Sequence, residues 1–122
     1  VDMNMIGKLS ILLVASLHLL FMILEMLLWN TSTGRRIFGL THEFAQQSAV
    51  LAANQGLYNG FLAAGLFWGV ADPVQNRGMI IFFLACVIVA GVFGGITANR
   101  KILWIQALPG LVALGLVLLA GR

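Results

Sequence analysis

Four stretches of the chain are apolar with few charges, and short clusters of turn formers and basic residues separate them. Apolar runs of about 20 residues match the hydrocarbon thickness of a bilayer, so each stretch reads as a membrane-crossing helix. The first is predicted over about residues 6–29 and is broken by Asn30-Thr31-Ser32-Thr33-Gly34, a cluster of turn formers. Thr41 is placed to cap a second helix, with Glu43 in its first turn, where an acid complements the helix dipole. That helix is expected over about residues 42–69. It would be about 42 Å long at 1.5 Å per residue, enough to cross the core and project into the headgroups. Ala71-Asp72-Pro73 ends it. A third helix is expected over about residues 78–98 and a fourth over about 102–120. The turn Asn99-Arg100-Lys101 between them is so short that these two must be antiparallel neighbours. The expected architecture is all-α: a single integral membrane domain of residues 1–122, built as a four-helix bundle of four transmembrane helices.

Composition supports a lipid environment. Of 122 residues, 61% are hydrophobic and only 9% charged, too few charges to cover a soluble domain of this size. The net charge of +3 comes from basic residues scattered at helix ends. They read as membrane anchors rather than as a nucleic-acid surface, so the bilayer is the expected partner and no nucleic acid is. Cys86 is the one cysteine, which precludes an internal disulfide, and it reads as a small core residue. Lys8 before an apolar run resembles the start of a signal peptide. The run continues to Trp29, however, and no small-residue cleavage site closes it, so a retained helix is expected. Arg35, Arg36, Arg100 and Lys101 lie in the first and third loops, against Lys8, Arg77 and Arg122 on the other side. This slight excess favours those loops in the cytoplasm and both termini outside, and it leaves dual topology open. The expected location is the cell (inner) membrane, crossed several times.

Polar residues at membrane depth are the candidates for chemistry. His18 and Glu25 are seven apart on the first helix and share a face with Met22 and Trp29. The plainer readings are a wet Glu25 near the interface and a neutral His18 bonded by a neighbouring helix. On the second helix Asn54, Gln55, Tyr58 and Asn59 fall within an arc of about 140°. Interhelical hydrogen bonding alone, about 0.6 kcal/mol per bond, is the plainer reading there. If the first two helices pack antiparallel, Glu25 lies level with Asn54 and His18 with Asn59. Gln106 on the fourth helix lies at the Glu25 end, and Pro109 frees the carbonyl of Ile105. Gly91 and Gly95 on the third helix have the G-x-x-x-G spacing of close helix packing, and Gly60, Gly65 and Gly69 read the same way. Together these positions predict a binding pocket lined by His18, Glu25, Asn54, Gln55, Tyr58, Asn59 and Gln106. Arg35, Arg36, Arg100 and Lys101 would ring its mouth.

Several of these runs are similar to one family. Leu17-His18-Leu19 through Glu25-Met26, Phe38-Gly39-Leu40, Val89-Ala90-Gly91 and Gln106-Ala107-Leu108-Pro109 all contribute. So does Ala52 through Gly65, whose Ala-Asn-Gln-Gly-Leu-Tyr-Asn-Gly segment is the most specific part. They resemble the bacterial membrane family of domain of unknown function DUF1304 across nearly the whole chain. The resemblance implies a four-helix integral membrane protein and carries no assigned activity.

Three functions compete. The first is binding or transport of a small polar or amphipathic molecule, with Glu25 exchanging a proton against a cation. Small multidrug transporters share the outline of four short helices with a glutamate in the first, without the sequence pattern. The second is a membrane-embedded enzyme in which His18 and Glu25 move a proton on a lipid-soluble substrate and the amides hold an oxyanion. Against it, the two side chains are about 10 Å apart on one helix. The third is a structural or assembly subunit. No cofactor motif is visible, and His18, Glu25 and His42 are too spread for a metal site, so neither cofactor nor metal is expected. A thin four-helix unit also makes a homo-oligomer the expected state.

Overall fold

The computed structural model describes residues 3–121. Val1 and Asp2, within the expected domain, and Arg122, counted in the charge balance above, lie outside the described residues. Among the described residues the chain is helical and has no strand. In order it forms α1 (Met5–Met26), α2 (Ser32–Phe38), α3 (His42–Ala71), α4 (Arg77–Thr97), a π-helical turn (Leu103–Ala107) and α5 (Leu108–Ala120).

Local chemistry sets most of these boundaries. The Asn4 side chain accepts from the Gly7 amide at 2.7 Å at the start of α1. The Thr41 hydroxyl accepts from the Phe44 amide at 3.1 Å and caps α3. After α3, the Asp72 carboxylate accepts from the Gln75 amide at 3.2 Å and closes the turn before α4. The Asn99 side chain accepts from the Lys101 amide at 2.9 Å in the tight link that follows α4.

Three expectations need correction. Among the described residues three helices, rather than four, are long and apolar enough to cross a membrane: Met5–Met26, Arg77–Thr97 and Leu103–Ala120. The 30-residue α3 falls short because it carries Gln46, Gln47, Ser48, Asn54, Gln55 and Asn59. The segment read as a break after Asn30 contains a short helix, α2. Thr31 caps it by accepting from the Gly34 amide at 3.1 Å, and Gly39 ends it in the left-handed region at φ +66°. Gly34 lies inside that helix, where a Cβ would fall on the carbonyl oxygen of Leu28, so only glycine fits. The fourth expected helix is also not α-helical throughout. Pro109 cannot donate to Ile105, and the chain just before it widens, with the Leu108 amide bonding the Leu103 carbonyl five residues back.

The chain divides into two compact units: residues 1–16 with 62–122, and residues 17–61. In the first, Ile11, Leu66, Ile80, Leu84, Val87, Ala113 and Val117 form an aliphatic interior with no exposed surface. Its α4 and the segment through α5 pack as an antiparallel pair. A Cβ on Gly91 would come within 2.6 Å of the Ala107 nitrogen, Gly95 faces Leu103, and Val87 meets Gly110. Lipid tails are as apolar as these side chains, so close packing rather than the hydrophobic effect holds such a seam.

The second unit contains the end of α1, α2 and the first part of α3. Met22 lies against Gly60 and Met26 against Gly56, again antiparallel. The Trp29 and Phe38 rings stack at a tilt, 4.8 Å between centroids. The Arg35 guanidinium donates to the Asn30 carbonyl at 2.6 Å and to its side-chain oxygen at 3.1 Å, tying α2 to the end of α1. The buried ionisable residues His18 and Glu25 both belong to this unit.

Candidate functional site: a carboxyl held by two carboxamides

Glu25 stands in the last turn of α1 and is 5% exposed. One carboxyl oxygen accepts from the Asn59 amide at 2.5 Å and the other from the Gln55 amide at 2.6 Å. Gln55 and Asn59 are four residues apart on α3, so their side chains leave the helix about 40° apart and reach one target together. Gly56 lies between them, and a Cβ there would sit 3.0 Å from Glu25 Cβ and 2.8 Å from Met26 Cγ. Glycine at that position lets the two helices come close enough for the amides to grip the carboxyl.

Trp29 extends the site by one turn. Its indole N–H donates to the Ser48 hydroxyl at 3.0 Å, and that hydroxyl donates to the Phe44 carbonyl at 2.6 Å. A cleft of about 230 Å³ opens between these groups. Glu25, Gln55 and Ser48 give it polar points, and Trp29, Phe44, Leu51 and Ala52 give it apolar walls. A few polar groups converging in an apolar hollow is the usual composition of a small-molecule site.

Removing a carboxylate from water costs several kcal/mol. Hydrogen bonds to a charged group return about 1.5–3 kcal/mol each, so the two amides offset only part of that penalty. An ionisable residue in an apolar helix at such a cost is a candidate for function by default.

The residues singled out from sequence separate into four groups. Glu25, Gln55 and Asn59 meet directly. His18 is buried in the same unit with its ring edge-on to Phe21, 5.2 Å between centroids, and is not part of the cleft lining. Asn54 and Tyr58 are exposed: the Asn54 amide donates back to the Val50 carbonyl at 2.8 Å, and the Tyr58 ring lies 6.1 Å from Phe61. Gln106 is half-buried on the π-helical turn, in the other unit.

The expected partnership of Glu25 with Asn54 is therefore replaced by Gln55 and Asn59. Asn54 is one residue, or about 100°, off the side of α3 that carries Gln55. Sequence reasoning missed Ser48, Phe44, Leu51 and Ala52. The available signal was their spacing, since 44, 48, 52, 55 and 59 form a helical stripe ending on the two amides. Among the described residues no group of three or more His, Cys, Asp or Glu side chains is arranged to hold a metal ion.

The family model described as a protein of unknown function, DUF1304, matches residues 12–118. The chain belongs to the DUF1304 family. The DUF1304 match takes in Glu25, both amides and the whole cleft lining. This DUF1304 chain is similar to the uncharacterized protein YpaA of Lactococcus lactis subsp. lactis (strain IL1403). The two are 32% identical over 108 residues, covering 87% of this chain and 89% of the relative. No solved structure matches the chain.

Proposed function

We propose that this DUF1304 protein is a multi-pass protein of the bacterial inner membrane that binds, and carries across the bilayer, a small polar or amphipathic molecule at Glu25. The observation that supports this most is the carboxyl itself: 5% exposed, near the end of an apolar helix, gripped by two amides at the wall of a cleft. Interhelical adhesion alone would be served by amide pairs without a carboxyl.

In this reading α3 is the fourth crossing. Its 30 residues extend about 45 Å at 1.5 Å per residue, longer than a bilayer core. Gln55 and Asn59 direct their amides to Glu25 rather than to lipid, which lowers the cost their composition implies. Four crossings place the two termini on the same side of the membrane, and three place them on opposite sides. Reporter fusions at both ends in cells test this, and opposite sides would remove α3 from the membrane.

Ligand binding is tested by native mass spectrometry of wild type and Glu25→Gln in mild detergent. A small molecule carried by the wild type and lost from the variant is the expected result. Identical spectra without any adduct would contradict the reading.

A second reading rests on a separate observation. The Tyr58 ring is 60% exposed on α3, a polar tip on a helix proposed to lie in lipid. A second copy of the chain covering that face would satisfy it. Tyr58→Phe with Asn54→Leu would then lower the oligomeric mass, and an unchanged mass would remove this reading.

A further inference from the structure

We infer that the molecule bound at Glu25 is a small monovalent organic cation: an ammonium carrying one short apolar or aryl group. This rests on the binding reading above and deepens it by naming the ligand class.

Charge comes first. The carboxyl is the one acidic group lining the cleft, and neither Lys nor Arg lines it. The two amides that bond the carboxyl orient their N–H dipoles toward it and carry no net charge. An anion entering the cleft would meet carboxyl oxygens with no positive group lining the cleft beside them, whereas a cation would pair with them. Each carboxyl oxygen has a second acceptor site once its single amide bond is counted.

The walls supply the second argument. Trp29 and Phe44 line the same cleft as the carboxyl. Aromatic faces attract ammonium groups through the ring quadrupole, and Trp does so best. Leu51 and Ala52 add an apolar surface that suits a hydrocarbon substituent. The Trp29 N–H is already engaged by Ser48, which fixes the indole in place rather than leaving its donor free for an anion.

Size is the third. The cleft measures about 230 Å³. A cleft of this volume gives one small aryl or alkyl group a place beside the carboxyl, and benzylammonium is a probe of that kind.

The test is isothermal titration of the purified full chain in mild detergent with three probes of one shape: benzylammonium, benzyl alcohol and benzoate. Each is repeated on Glu25→Gln and on Ala52→Phe, which fills the cleft and leaves the carboxyl and its amides in place. Saturable binding of benzylammonium is expected, at least tenfold tighter than either other probe and weakened at least tenfold in both variants. Benzyl alcohol or benzoate binding as tightly, and being lost in Ala52→Phe, would overturn the cation assignment and leave a ligand site standing. Binding of no probe to the wild type, or binding unaffected by either variant, would overturn both the assignment and the site. Circular dichroism and gel-filtration profiles of each variant identify a folding failure. In that event Leu51→Trp, at a residue 75% exposed, replaces Ala52→Phe as the blocking change.

Discussion

The two units of this protein are held together differently. In residues 3–16 with 62–121 the interior is aliphatic, and the seam after α4 sets Gly91 against the Ala107 backbone and Gly95 and Gly110 against the Leu103 and Val87 side chains. In residues 17–61 the buried set includes His18 and Glu25, and hydrogen bonds cross to α3: Gln55 and Asn59 donate to Glu25, and Trp29 donates to Ser48. Close packing alone can hold a membrane helix pair, and the first unit is built that way. The polar groups of the second unit add hydrogen bonds to such packing, and the proposed function takes their arrangement around a cleft as a binding site.

Substitutions that attack each unit in its own terms sharpen this contrast. The largest effect is expected where a side chain would strike backbone. Gly34→Ala would drive a Cβ into the Leu28 carbonyl and should lose at least about 3 kcal/mol, read as failure to accumulate folded protein. In the other unit, Gly91→Ala places a Cβ 2.6 Å from the Ala107 nitrogen. It should lose about 1–3 kcal/mol in a denaturant titration in micelles. A neutral Gly91→Ala would show that the α4–α5 seam does not depend on close approach.

Glu25→Leu removes the acceptor of two amides, of which Asn59 is the more buried, at an expected cost of about 1 kcal/mol or more in the same titration. Gly39→Ala forces a side chain into the left-handed region at φ +66° with nothing around it to clash, so about 1 kcal/mol is expected from strain alone. The smallest effect is at Asn54, whose amide folds back on its own helix. Asn54→Leu should change stability by less than about 0.5 kcal/mol, whereas Asn59→Leu should be clearly destabilising. Equal effects at the two positions would break the claim that only one side of α3 grips the carboxyl.

Much of this organisation was legible in the sequence. Long apolar runs are read by length alone, which is why α1, α4 and the last helical segment were anticipated with small errors at their ends. The α2 helix was not, because its cap Thr31 and its terminator Gly39 bracket residues that also read as turn formers. Pro109 announced a disturbed helix, but the five-residue hydrogen-bond ring before it depends on how the backbone relaxes around the missing donor. The meeting of Glu25 with amides of α3 was readable from one polar arc. Its register was not, since matching residues by depth ignores which side of each helix faces inward. Ser48 and the cleft walls stayed hidden because Ser, Phe, Leu and Ala carry no chemical signal until a carboxyl is found beside them.

The measurement that tests the contrast most directly is the unfolding free energy, in detergent, of the triple variant Glu25→Leu with Gln55→Leu and Asn59→Leu. Removing a buried charge together with the groups bonded to it is often neutral or stabilising, and in this network Glu25 is the buried member. The account predicts a protein at least as stable as the wild type, with the penalty of Glu25→Leu alone abolished. A triple variant markedly less stable than the wild type would contradict this contrast and show that the amide-held carboxyl is what binds the helices together.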